Sequence, residues 1–298
     1  MIQVQRVVHM RRQEMLGSGI ILGTIFVLSL LAVGVMQHPT SAETSGRGLL
    51  RMDVALLLAY GFVGILIWKQ RSHNAITAAI VGAQIGLLLG AVGITNHLIE
   101  AFVLVRPFVL VIFPVLLTLA LLGTAGAAAW ERTRSLALAV IGGLCCAIIA
   151  TLITLSFAIS FNLLFAAHVD WQLREAFAAS GMIDRASFRV RNILEASSEI
   201  LVRMPLLATS LAFTGAVIHA WMSRESRRAL VLAARFLAPF GFAVGAADLW
   251  HANAIERASR APFVLSGVLL TGVALCAAYP IWSAFHGSTG RSRSAGNS

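Results

Sequence analysis

Eight stretches of about 20 mostly apolar residues, the length a helix needs to cross a bilayer, follow one another along this chain. They lie at roughly 16–36, 49–68, 75–95, 107–129, 136–165, 205–222, 229–249 and 262–285. In lipid every backbone N–H and C=O must find its partner within the protein, so such stretches fold as helices. Of the 298 residues, 58% are hydrophobic and 12% are charged, against about 25% charged in soluble domains. A soluble globular fold and a largely disordered chain are both set aside. The expected fold is an all-α integral membrane protein with about eight transmembrane helices.

Two spans have unusual ends. Span 2 is short, with Arg51 and Asp53 at its mouth, and span 5 is long enough to tilt or to project from the bilayer. The first span follows Arg11 and Arg12, and Thr40-Ser41-Ala42 has the composition of a signal-peptide cleavage site. Its apolar run of about 20 residues exceeds the roughly 7–15 of a signal h-region, so a retained span is expected.

The formal net charge of +10 is accounted for by topology. With a cytoplasmic N-terminus, the inner loops hold 12 basic residues and 3 acidic ones (Glu14, Glu131 and Glu225), while the outer side holds 10 of each sign. This is the positive-inside bias of a plasma (inner) membrane protein with both termini cytoplasmic, and nucleic acid is not needed to explain it. Cys145, Cys146 and Cys276 all lie inside apolar runs with no CxxC spacing, so they read as small buried hydrophobes.

The long outer loop, 166–204, carries its own pattern. Val190, Ile193, Leu194, Ser197, Leu201 and Met204 fall on one helical face, and Arg189, Asn192, Glu195, Glu199 and Arg203 on the other. Glu199 and Arg203 stand at i,i+4 in the favourable order. The expectation is an amphipathic helix lying on the outer surface and leading into span 6 at Pro205, either as a lid or as a connector.

The two halves of the chain share short matches. Ala91-Val92-Gly93 pairs with Ala243-Val244-Gly245, Ile99-Glu100 with Ile255-Glu256, and Leu116-Leu117-Thr118 with Leu269-Leu270-Thr271. Arg106-Pro107-Phe108-Val109-Leu110 pairs with Arg260-Ala261-Pro262-Phe263-Val264-Leu265. Four spans per half give two parallel four-helix repeats about an axis along the membrane normal. The expected organisation is a cytoplasmic segment (1–15), a first half (16–135), a second half (136–286) that includes the outer loop, and a disordered Gly/Ser/Arg-rich tail (287–298). Gly82, Gly86 and Gly90 in span 3 form a small-xxx-small ladder for close helix packing, as do Gly241 and Gly245 in span 7.

Ionisable groups at membrane depth are functional candidates because their burial is costly. Asn96, His97, Glu100 and Arg106 follow span 3, and His251, Asn253, Glu256 and Arg260 follow span 7, with Asp248 just before. Such a set holds a polar solute, a metal or a proton relay. Deeper candidates are Arg235, about 10 Å into span 7 at 1.5 Å per residue, with Pro239 one turn later, and Gln84 near the middle of span 3.

His38 and His168 follow spans 1 and 5, so histidines mark the outer ends of four alternate spans. His38, His97, His168 and His251 are therefore an alternative ligand set for haem or copper. In layout alone this resembles haem A synthases and membrane copper proteins. No Glu-x-x-His-Arg stretch and no His followed by Trp-x-Gly accompanies it, so no residue role is carried over.

The single lysine, Lys69, lies in an inner loop, which rules out a retinal Schiff base within a span, and no P-loop, HExxH or GxSxG is present. The leading expectation is a non-enzymatic carrier or permease-like protein, without a cofactor, that binds a small solute between two halves. Its contacts would be Arg235, Gln84 and the outer His/Asn/Glu/Arg cluster. The alternatives are a haem- or metal-binding redox protein and a scaffold with membrane partner subunits.

Overall fold

A computed structural model describes residues 2–39, 45–102 and 108–222, and every regular element longer than one turn among them is an α-helix. These are α1 (Ile2–Gln37), α2 (Ser45–Lys69), α3 (His73–Phe102), α4 (Phe108–Thr133), α5 (Leu136–Leu164), α6 (Ala166–Gln172), α7 (Arg174–Ser180) and α8 (Arg185–Met222). Six of them, all but α6 and α7, are long and apolar enough to cross a membrane. They overlap the first six expected spans, the sixth helix beginning at Arg185 rather than at 205, and the build is that of a multi-pass membrane protein. The spans expected at 229–249 and 262–285 lie outside the described residues, and so do the repeat's second-half matches at 243–271.

The pattern of exposure agrees with a lipid surround. Leu22, Phe26, Leu58, Phe62, Leu87, Leu88 and Leu116 each leave more than half of their surface uncovered. In water such a belt would be a heavy liability; against hydrocarbon it costs nothing. The most apolar helix, α5, carries no charged residue and takes the central place, packed against α1, α3, α4 and α8. A helix that is apolar all round belongs in the interior.

Short connectors set antiparallel neighbours. Between α4 and α5 the chain turns in two residues: Arg134 takes a left-handed φ of 53°, and Ser135 caps α5 by accepting from the Leu138 N–H at 3.5 Å. At the far end of α2, Gln13 of α1 reaches the last carbonyls, with its Nε2 2.9 Å from Ile67 O and 2.6 Å from Gln70 O. These are carbonyls that a helix end leaves open.

Glycines bring the helix backbones together, as the ladder in span 3 predicts. A Cβ placed on Gly82 would stand 1.9 Å from the Gly142 carbonyl oxygen, and one on Gly86 2.6 Å from the Cys146 carbonyl oxygen. The partner of the ladder is therefore α5. The same device joins α4 to α8, where a Cβ on Gly126 would meet the Ala212 carbonyl at 1.8 Å. Cys145 and Cys146 are buried and free, as expected of small apolar side chains; Cys276 is outside the described residues.

The segment 166–204 departs from expectation. It holds the two short helices α6 and α7, and from Arg185 onward a single 38-residue helix runs through Pro205 to Met222. The amphipathic part is thus the first half of α8 and packs on α2 and α5. Its predicted apolar face is inward: Val190, Ile193, Leu194, Ser197 and Leu201 are buried and Met204 is half-buried. Arg189, placed on the polar face by its spacing, is also buried and pairs with Asp170 of α6 at 2.5 Å. The expected Glu199–Arg203 pair forms along the helix.

Three hydrogen bonds explain why this stretch docks on α2. The Ser197 and Ser198 hydroxyls donate to the buried Asp53 carboxyl on α2, at 2.5 and 2.6 Å. The Tyr60 hydroxyl donates to the Leu201 carbonyl at 3.0 Å.

Candidate functional site

The last turns of α3 and α5, the short helices α6 and α7, and the first half of α8 enclose a cleft of about 690 Å³. That volume falls within the range of small-molecule sites, roughly 300–1,000 Å³. Asn96, His97 and Glu100, singled out from the sequence, all line it. Their spacing on α3 puts them on adjoining strips of one helix, and the Asn96 side-chain amide donates to Glu100 Oε1 at 3.3 Å.

His97 is the best-defined of the three. Its ring meets Phe157 and Phe161 edge-on, with centroids 5.9 and 5.3 Å away. Its Nε2 is buried and has no hydrogen-bond partner among the described residues. A buried polar atom without a partner is rare in native structures, so this nitrogen holds hydrogen-bonding capacity that the described residues leave unused, on a side chain that lines the cleft.

The α5 and α6–α8 sides supply further polar atoms. Asn162 turns its amide N–H back to the Ala158 carbonyl at 2.7 Å, leaving its carbonyl oxygen uncommitted to that bond. Gln172 donates to the Ala101 carbonyl, which fixes α6 against the end of α3. Arg174 lies over the Trp171 ring at 5.3 Å and stands 3.8 Å from Glu175. Phe161, Trp171, Ile159 and Ile193 add apolar surface. The lining therefore mixes hydrogen-bonding groups of both kinds, charges of both signs and aromatic faces.

Sequence reasoning missed Asn162, Gln172, Asn192 and Ser197. Asn162 had a visible signal, as the lone amide in the most apolar span. In the sequence, Ser197 and Asn192 carry only the marks of an amphipathic face.

The remaining candidates are dispersed. Gln84 is exposed on α3 and does not line the cleft. Arg106, Arg235, Asp248, His251, Asn253, Glu256 and Arg260 lie outside the described residues.

The three described histidines of the alternative metal set occupy different surroundings. His168 donates Nε2–H to the Ala101 carbonyl at 2.8 Å and stacks on Phe102 at 5.0 Å. His97 lies beyond Phe161 from it. His38 acts on Asp184, at the start of α8. Among the described residues no three His, Cys, Asp or Glu side chains are grouped to hold a metal ion.

No protein-family model matches this chain, and neither does any curated protein or solved structure.

Proposed function

We propose that this multi-pass membrane protein is of carrier or permease type and takes a small polar solute into the cleft between α3, α5 and α6–α8. The observation that carries this reading is a cleft of small-molecule size lined by Asn96, His97 and Glu100, in which the His97 side chain keeps a buried Nε2 without a partner among the described residues. A site lined by both donors and acceptors, with aromatic surface alongside, suits a compact solute with a polar and an apolar side. The loop charges of the sequence favour an inner-membrane protein with a cytoplasmic N-terminus, which makes the α6–α7 end the outer one.

The test is ligand-dependent thermal stabilisation of the purified protein in nanodiscs, using amino acids, sugars, organic acids and amines as probes. A solute of one class should raise the midpoint of the wild type and fail to do so in His97→Ala. If none of the four classes stabilises the protein, or if the shift persists unchanged in His97→Ala, this assignment of the cleft is wrong. Arg235 belongs to the same reading as a contact from span 7, and Arg235→Ala should abolish uptake of that solute into proteoliposomes.

A further inference from the structure

Asp53 is the one carboxyl among the described residues that is wholly buried, at 0% exposure. Its partners are two hydroxyls: Ser197 Oγ lies 2.5 Å from Oδ2 and Ser198 Oγ 2.6 Å from Oδ1. Among the described residues no cation pairs with it, and on α2 itself Arg47 and Arg51 are exposed. On α8, Arg191 and Arg203 pair along their own helix with Glu195 and Glu199, and Arg189 pairs with Asp170. On α1, Gln13 lies against the opposite end of α2, at Ile67–Gln70, and Arg11, Arg12 and Glu14 are its sequence neighbours. His38, at the near end, acts on Asp184. A buried carboxyl held, among the described residues, by hydroxyls alone has the surroundings of a group that exchanges a proton rather than one fixed in an ion pair.

The hydroxyls also have a second acceptor. The Leu194 carbonyl oxygen lies 3.1 Å from Ser197 Oγ and 2.8 Å from Ser198 Oγ. With Asp53 ionised, both serines donate to the carboxylate. With Asp53 protonated on Oδ2, its O–H donates to Ser197 Oγ, the Ser197 proton turns to Leu194, and Ser198 still donates to Oδ1. Every proton has an acceptor in both states, with no movement of the helices. Ser197 is at the same time part of the lining of the cleft.

We propose that Asp53 is a buried proton-binding site that exchanges with the cleft through Ser197. A hydronium ion in the cleft gives its proton to Ser197 Oγ and becomes water, while Ser197 passes its own hydroxyl proton to Asp53 Oδ2; release reverses both transfers. The proposal needs the cleft only as a route for water. It therefore stands or falls separately from the identity of the solute.

Infrared difference spectra of the full chain in nanodiscs, taken between acidic and alkaline pH, test it. The wild type should show a protonated-carboxyl C=O band that grows at acidic pH, disappears in Asp53→Asn and shifts in frequency in Ser197→Ala. Retention of every pH-dependent carboxyl band in Asp53→Asn overturns the proposal. An unshifted band in Ser197→Ala overturns the route through that residue. Should Asp53→Asn fail to fold, Ser197→Ala and Ser198→Ala decide, and bands unchanged in both overturn the site.

Discussion

The Tyr60 hydroxyl sits 3.0 Å from the carbonyl oxygen of Leu201, the acceptor that Pro205 leaves without a helix donor. In an α-helix the N–H of residue 205 would bond the carbonyl of residue 201, and proline has no N–H. A side chain from α2 thus completes the ladder of α8, and the helix continues across the proline. Tyr60→Phe should cost about 1–3 kcal/mol, the penalty for an orphaned buried acceptor. Pro205→Ala restores the backbone donor, so the same change in that background should cost clearly less. Unfolding of the four proteins of this cycle measures the difference; an equal cost in both backgrounds would show that the two residues are not coupled.

Gly82 and Gly142 meet backbone to backbone, and an added methyl at Gly82 has only 1.9 Å to the opposing oxygen. Gly82→Ala should destabilise the bundle by about 1–3 kcal/mol, the usual cost of overpacking. Gly19 has nothing within 4 Å of an added Cβ, so Gly19→Ala should show no such loss. Thermal midpoints in detergent, compared side by side, separate a steric cause from a general intolerance of alanine.

Arg189 is nearly buried while its partner Asp170 keeps 25% of its side chain exposed. Removing one member of a buried pair typically costs about 3–5 kcal/mol, and the partial exposure of Asp170 puts Arg189→Met near the lower figure. The double change Arg189→Met/Asp170→Leu should recover part of the loss. Without recovery, the hydrogen bond from Arg189 Nη1 to the Ala166 carbonyl at 3.4 Å would be the stabilising part rather than the ion pair.

Asp184 caps α8 and is held below the ordinary carboxylate range, first by the Ser187 hydroxyl at 2.6 Å, then by the Ser187 and Ala186 backbone N–H groups. His38 adds a smaller push in the same direction. A lowered folded-state pKa stabilises the helix start above the ordinary value of about 3.9 and stops doing so as pH falls through the folded value. The protection factors of amides 186–190, which correct for the pH dependence of intrinsic exchange, should therefore hold at neutral pH and fall only below the ordinary carboxylate range. In Asp184→Ala they should be low at both. Protection in that variant equal to wild type would show that the cap contributes nothing.

The spans were legible because apolar length is a one-dimensional property, and the glycine ladder because its period is helical. Partners across helices were not. Asp53 looked like a residue at the mouth of span 2, because nothing in its own neighbourhood announces the serines 144 and 145 positions away. Its burial also explains the misplacement of the first half of α8: an amphipathic pattern does not say whether its apolar face meets lipid or another helix. In the cleft, Asn96, His97 and Glu100 were found by their cost at membrane depth. The residues contributed by α6–α8 were missed because the expected surface helix left them no wall to form.

The contact between α3 and α5 sets where the cleft is able to change shape. Side chains that interdigitate permit small shear displacements, but main chains seated against each other at Gly82 and Gly86 leave no such slack. Gly93 and Thr154, which touch at the cleft itself, make this pair its stiff wall. The two helices therefore act mechanically as one beam. Opening or narrowing of the mouth has to come from α6 and α7, which are seven residues each and tied to the beam largely by His168 and Gln172.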